Sequence, residues 1–316
     1  MRAGETMAEG QVFALLGHPV AHSLSPVIHT VAYASLGLPH VYRAIDVPTA
    51  GELVAAFDEL RSGAIGGANV TLPHKRAVLE LVDEVDTSAT EPGAANVLCR
   101  GEDGRLRAYN TDADALADDI AALAPGASRK RAMVIGSGGA GVAAVAACKK
   151  LGFKVIGVTS RSWARSEDIE SSPSAEQVRR MGALPLLWPS PGESAPDSFA
   201  TQALRLQWWD LARGASVVVQ ATSAGMLGKD PGESVRDVVP WDDLGSDTFA
   251  YDVVYTPRMT PFLRAAASRG LQAEGGLGML VRQAARAILL WTGKEPPLEV
   301  MRRAAEDALD RGGRTV

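Results

Sequence analysis

Residues Gly136-Ser137-Gly138-Gly139-Ala140-Gly141 fit the pattern G-x-G-x-x-G. An apolar run, 131–135, precedes them and a long Ala-rich stretch follows, which is the strand-before, helix-after context the pattern requires. Its glycines permit a tight turn and close backbone approach. The helix N-terminus then offers free N–H groups to a pyrophosphate. The next apolar run ends in Thr159-Ser160-Arg161-Ser162, with Arg165 one turn on. A site for NAD usually carries an acid there, bonding the ribose 2′-OH. An acid would repel a 2′-phosphate, whereas guanidinium groups grip it with charge-assisted bonds. The sequence therefore predicts NADP (NADPH) over NAD.

The first half carries polar groups at the ends of apolar runs. Ser23 and Ser25 stand before Pro26, a proline suited to a first helical turn. Two hydroxyls near a helix N-terminus suit a carboxylate, but Ser25 as a plain N-cap explains the same residues. Lys75 follows Asn69-Val70-Thr71-Leu72-Pro73-His74; taken alone it reads as a surface residue. Thr111 with Asp114 fits a capping box, with Asp112 favourable to the helix dipole. Gln283 shares a helical face with Met279, Leu280 and Ala287. A polar group on an apolar face needs a partner, which substrate hydroxyls or the backbone could supply.

These groups must be positioned by a scaffold. Short apolar runs at 12–17, 41–46, 65–70, 132–136, 154–160, 216–221 and 248–253 read as strands. Helical patterns at 50–61, 112–123, 138–151 and 278–291 alternate with them. Such alternation marks an α/β fold with a parallel sheet. Residues 170–200 are rich in Ser and Pro, including Pro173, Pro185, Pro189, Pro191 and Pro196, and read as an irregular excursion that Trp208-Trp209 packs down. A boundary is expected near 112–125, and the last helices could cover the second sheet or return to the first domain.

Length and composition bound the class. At 316 residues the chain is expected to hold two domains, at roughly 150 residues each. A net charge of −5 argues against nucleic-acid or anionic-membrane partners. Two cysteines, Cys99 and Cys148, suit a reducing cytoplasm and exclude a disulfide framework. No apolar stretch reaches a membrane span, and the first ten residues lack a signal-peptide core, with Met7 an alternative start. All five histidines fall within the first 74 residues. The zinc-like spacing of His18 and His22 is broken by Pro19 and Pro26, so no metal is expected.

The ordered set of motifs resembles the shikimate dehydrogenase family. It comprises 17–26, Asn69–Lys75, Gly93-Ala94-Ala95-Asn96, Asn110-Thr111-Asp112 and 136–140, then 221–226, 252–257 and 276–283. The resemblance implies two domains, an N-terminal α/β substrate domain (1–113) and a Rossmann-like doubly wound NADP-binding domain (114–276). Helices in 277–316 return to the first domain, and the active site is the cleft between domains. It implies reversible reduction of 3-dehydroshikimate to shikimate by NADPH, a step of chorismate and aromatic amino-acid biosynthesis. By resemblance, Lys75 and Asp112 are the catalytic pair, and Ser23 and Ser25 hold the substrate carboxylate. Thr71, Asn96 and Gln283 bond ring hydroxyls, and Tyr255 lines the substrate site. Gly136, Ser137, Gly138, Gly139 and Ala140 form the phosphate loop. Arg161 and Arg165 match the arginines around the 2′-phosphate. Ser160 stands on the cofactor where an amide often contacts the adenosine ribose. Thr222 and Gly276 are also on the cofactor, with Met279 in the segment that borders the nicotinamide. A monomer and a homodimer both fit.

The sequence departs from the family's usual residues at Thr30, Val97, Ala113, Ser160 and Thr256. That leaves room for a quinate/shikimate or aminoshikimate variant with relaxed cofactor use. A silent NADP-binding homologue is the remaining alternative, against which the intact Lys75, Asp112, Ser23 and Ser25 speak.

Overall fold

The computed structural model describes residues 10–189 and 199–312. Met7, Pro191 and Pro196 lie outside the described residues. The chain forms two compact units. One comprises residues 1–111 and 280–316, the other residues 112–279.

The first unit contains β1 (Val12–Gly17), α1 (Ser25–Ser35), β2 (Val41–Asp46), α2 (Ala50–Ser62), β3 (Gly67–Val70), β4 (Glu84–Val85), α3 (Thr87–Thr90), β5 (Val97–Arg100) and β6 (Leu106–Tyr109). Its six strands form one sheet in the order β2-β1-β3-β5-β6-β4. The sheet is mixed, which corrects the parallel sheet expected from alternation. β3 pairs with β5, and β5 with β6, antiparallel. The short connection from β5 to β6 has no room for a crossover helix, so the two strands can only run antiparallel. Capping is local where the sequence supplies it: Thr49 and Glu52 close a capping box on α2, and Gly63, at φ 84°, ends that helix.

The second unit contains α4 (Asp112–Leu123), β7 (Arg131–Ile135), α5 (Gly139–Lys150), β8 (Val155–Thr159), α6 (Ser166–Glu170), α7 (Pro173–Arg180), β9 (Leu184–Leu186), α8 (Phe199–Ala212), β10 (Ala215–Gln220), α9 (Glu233–Asp237), β11 (Phe249–Asp252), α10 (Pro261–Ser268) and β12 (Gln272–Gly275). All six strands are parallel, in the order β12-β11-β10-β7-β8-β9. This is the doubly wound order, and it reverses between β7 and β10. Both faces are covered, so the strands read as continuous apolar runs. Ala132 and Val134 of β7 join one core with Val217 and Val219 of β10; Met133, Ile135 and Val218 join the other. Alternation along each strand makes both.

Part of the segment read as irregular is ordinary α/β structure. Ser172 caps α7 by accepting from Ala175 N–H, Pro173 occupies its first turn, and β9 is the edge strand beside β8. Pro185 is tolerated there because an edge strand leaves one row of backbone groups unpaired. Trp208 is fully buried in the core that includes Leu186, and its indole N–H donates to Val238 O at 2.8 Å.

Two last helices follow, α11 (Leu277–Thr292) and α12 (Leu298–Gly312). From Leu280 onward they belong to the first unit. Trp291 stacks on Phe13 with centroids 4.7 Å apart, and its N–H donates to Leu98 O at 3.0 Å. Gly67 lies directly beneath the indole, where a Cβ would come within 2.4 Å of Nε1. Among the described residues, no helix is long and apolar enough to cross a membrane.

Truncating Trp208 to alanine leaves a large cavity and an unpaired Val238 carbonyl. A buried Trp→Ala change costs about 3–5 kcal/mol, which lowers Tm by roughly 10 °C. A thermal melt of Trp208→Ala within a degree of the parent would show that this indole does not hold β7, β9 and α8 together.

Candidate functional site

The polar residues of the first unit converge at the carboxyl ends of β1 and β3. His18 N–H donates to Leu72 O, and Thr71 N–H to Leu16 O, tying the two loops together. A Cβ at Gly17 would lie 2.3 Å from Thr71 Cγ2, so glycine is required for this approach. Ser25 is not the N-cap of α1. Leu24 holds that position, no side chain caps it, and Ser25 is the first helical residue with Pro26 behind it. Ser23 Oγ instead accepts from Ser25 N–H and donates to Ser25 Oγ, both at 3.2 Å. Two hydroxyls thus stand together at a helix N-terminus.

Asn96 is the hub of this unit. It is buried, accepts from Thr111 N–H at 2.7 Å, and donates to Thr111 Oγ1 at 2.9 Å and to Gln283 Oε1 at 3.4 Å. Gln283 is half-buried and also donates to Leu280 O at 2.8 Å. Thr111 therefore serves Asn96 and the Gln283 carbonyl. Lys75 is half-buried, and its carbonyl accepts from Ala95 N–H at 2.7 Å. Beneath the serines, Tyr42 donates to Asn69 Oδ1 at 2.8 Å, and His29 stacks on Tyr42 at 3.9 Å. Burial lowers the His29 pKa to about 3, so the ring is neutral. His18 pairs with Asp46, and buried His74 donates to Val47 O. Among the described residues no group of three His, Cys, Asp or Glu could hold a metal. Asp112, buried, opens α4 and belongs to the second unit.

In the second unit, the Gly136 turn stands at the point where strand order reverses, the ligand crevice of open α/β sheets. Gly136 has φ 113°, and a Cβ there would meet Ala221 O and Thr222 Cγ2 at 2.8 Å. A Cβ at Gly141 would lie 2.0 Å from Gly136 O, so helix and turn touch backbone to backbone. At Gly138 and Gly139 a Cβ would meet nothing within 4 Å. Gly138 is the N-cap of α5, Ala140 lies in its first turn, and no side chain caps the helix. This open, uncapped N-terminus fits a pyrophosphate. Beside it, Ser174 donates to Ser137, Ser137 to Ser160, and Ser160 shares a bond with Ser162. The two arginines stand at the end of β8, each paired with a carboxylate: Arg161 with Asp230 at 2.6 Å and Arg165 with Asp168 at 3.0 Å. Thr222 Oγ1 accepts from Ala224 N–H after β10. Gly276 follows β12, where a Cβ would lie 2.2 Å from Val253 O. Met279 is buried at the start of α11, and burial raises the pKa of Tyr255.

Sequence reasoning passed over Asp252. Fully buried at the end of β11, it accepts from Thr260 O–H at 2.6 Å, Val254 N–H at 2.9 Å and Gln220 N–H at 3.2 Å. It braces the loop that carries Tyr255. The signal was an acid ending an apolar strand, a position where charge needs partners.

A model of the shikimate dehydrogenase substrate binding domain matches residues 15–98, and one of the shikimate 5′-dehydrogenase C-terminal domain matches residues 276–306. A shikimate dehydrogenase (NADP(+)) of Synechococcus sp. (strain JA-3-3Ab) is 36% identical, with 96% of each chain covered. Shikimate 5-dehydrogenase of Thermus thermophilus, solved with NADP(H) and shikimate, has 35% identity and a TM-score of 0.76, covering 95% of this chain and 100% of that one. Quinate dehydrogenase from Corynebacterium glutamicum, solved with NAD, has 26% identity and a TM-score of 0.76 over the same shares.

Burial pushes the Asp252 carboxyl from 3.8 up to about 7, against the pull of its three hydrogen bonds. The folded state then keeps a proton that the unfolded chain releases, so this residue's stabilising contribution falls as pH rises from 3.8 to about 7. Asp252→Asn lacks that proton. The Tm of the parent relative to Asp252→Asn should therefore decline across this window and level off above it. A constant difference would mean that Asp252 is ionised throughout.

Proposed function

Because the chain belongs to the shikimate dehydrogenase family, we propose that it catalyses the reversible NADPH-dependent reduction of 3-dehydroshikimate to shikimate. This is an oxidoreductase step of chorismate and aromatic amino-acid biosynthesis, and we assign it to the cytoplasm. The observation that carries the cofactor half is the Gly136 turn, open at Gly138 and Gly139 and set at the strand-order reversal. Residues 1–111 with 280–316 take the substrate, and residues 112–279 the cofactor, so the division falls two to three residues from the expected bounds of 113 and 277.

Each residue's task follows from its chemistry. Ser23 and Ser25 present two hydroxyls at the start of α1, where a carboxylate gains from the helix dipole. Thr71, Asn96 and Gln283 orient ring hydroxyls; the bonds among Asn96, Thr111 and Gln283 fix the two amides before substrate arrives. Tyr255 lines the same substrate. Gly136, Ser137, Gly138, Gly139 and Ala140 hold the pyrophosphate; Arg161 and Arg165 hold the adenosine 2′-phosphate, with Ser160 at the adenosine ribose; Thr222 and Gly276 complete the cofactor's surroundings, and Met279 borders the nicotinamide. Bound NADPH supplies the hydride. As hydride reaches the ketone carbon, negative charge grows on its oxygen. In this reading Lys75 stabilises that oxygen and delivers a proton to it, with Asp112 the second member of the catalytic pair.

The ion pairs of Arg161 and Arg165 favour a second reading in which NAD is also accepted. A 2′-phosphate must share each guanidinium with a carboxylate already on it. Quinate as a further substrate belongs to that reading.

Replacing Lys75 by alanine should lower kcat by about 10² or more with little change in KM, since the group acts mainly in the transition state. Turnover close to the parent's would remove Lys75 from the mechanism.

Arg161→Ala should raise KM for NADP about tenfold and leave that for NAD nearly unchanged, because only NADP has the charged 2′-phosphate. The effect should shrink at high ionic strength, as the guanidinium is half exposed. Equal weakening of both cofactors would move the arginine off the phosphate.

A further inference from the structure

Asp119 is a carboxylate that the proposed reaction does not use. It lies in α4, 2% exposed, in the second unit. Tyr251 of β11, fully buried, donates its hydroxyl proton to Asp119 Oδ2 at 2.8 Å. The backbone N–H of Met279 is directed at the Tyr251 oxygen. A Cβ at Gly278 would lie 2.3 Å from both Asp119 carboxylate oxygens, so the acid sits against the first turn of α11. Burial and the adjacent Asp119 push the Tyr251 pKa far up, which keeps the hydroxyl a donor.

We infer that Asp119 and Tyr251 are positioning residues: they fix the first turn of α11, and with it Met279, against the nicotinamide end of the cofactor. The inference rests on the reading of the second unit as the NADP unit. Three features combine to make it. A negative charge beside the start of a 16-residue helix is favoured by the helix dipole. A buried acid with a buried phenol allows one arrangement, because either group left unpaired is costly. Gly278 lets that acid approach, and any side chain there would push the turn away. The turn begins just past β12, at the carboxyl edge of the sheet where ligands of this architecture lie. Met279 is thus held from three directions: by the phenol oxygen, by the acid one residue back, and by the apolar core it joins.

The test separates the two ends of the cofactor. Tyr251→Phe keeps the ring and removes the bond to Asp119. Calorimetric titration with NADP and with 2′,5′-ADP, which lacks the nicotinamide, reads the two ends in the same variant. NADP should bind about five- to tenfold more weakly and 2′,5′-ADP as in the parent, with kcat lowered in parallel. Asp119→Asn keeps an acceptor for the phenol and drops the charge; it should show the same selective loss in smaller measure. It also serves should Tyr251→Phe fail to fold. Unchanged NADP binding, or equal weakening of both ligands, would reduce the pair to ordinary core structure. Failure of the parent chain to bind 2′,5′-ADP would instead overturn the NADP reading itself.

Discussion

A methyl group at position 141 would stand 2.0 Å from the Gly136 carbonyl oxygen, and one at 136 would strike Ala221 and Thr222. The turn between β7 and α5 exists only because neither residue has a side chain. From that contact follow the direction of α5, the exposure of its first N–H groups, and their place where strand order reverses. The two flanking strands are pinned by cores on both faces, so the turn cannot relax sideways. Close packing transmits the constraint: after an irregularity at Ala215, β7 and β10 pair in regular register from Val217 to Gln220, and the loops at their carboxyl ends inherit that precision. The neighbouring loop after β11 is fixed by a different device, the three hydrogen bonds into buried Asp252.

The first unit fixes its buried amides by another device, hydrogen bonds between side chains far apart in sequence. Asn96 commits its amide to Thr111 and Gln283, and Tyr42 satisfies Asn69. Buried polar networks of this kind rigidify a site when every member is bonded. The helix that brings Gln283 begins in the second unit at Leu277 and continues in the first beyond Leu280. Its far end is set by Trp291, which lies on Phe13 and bonds Leu98.

Much of this was legible in the residues. The strands at 12–17 and 41–46 match the structure, and the other five central strands agree within one or two residues. All but β2, an edge strand that is mostly exposed, are largely buried runs. β4, β5, β6, β9 and β12 escaped: each is four residues or fewer and only partly buried, whereas the equally short β3 and β11 are buried throughout. Ser25 misled because Ser-Pro is a strong capping signal, while here the turn is closed by Ser23. The bonds among Asn96, Thr111 and Gln283 join residues up to 187 positions apart, and no local pattern encodes such a meeting. The carboxylates on Arg161 and Arg165 were hidden for two reasons. Asp230 lies 69 residues from its partner, and Asp168 reads as an ordinary first-turn acid.

Everything proposed for the chain depends on one capacity: it holds a 2′-phosphorylated dinucleotide at the Gly136 turn and reduces the ketone of 3-dehydroshikimate with it. The most direct test is the initial rate at which the purified chain reduces NADP in the presence of shikimate, followed by the absorbance of the reduced nicotinamide. NAD and quinate are run in parallel. Shikimate-dependent formation of NADPH is expected at a rate well above that with NAD or with quinate. No reduction of either cofactor with shikimate, or a faster reaction with NAD, would contradict it.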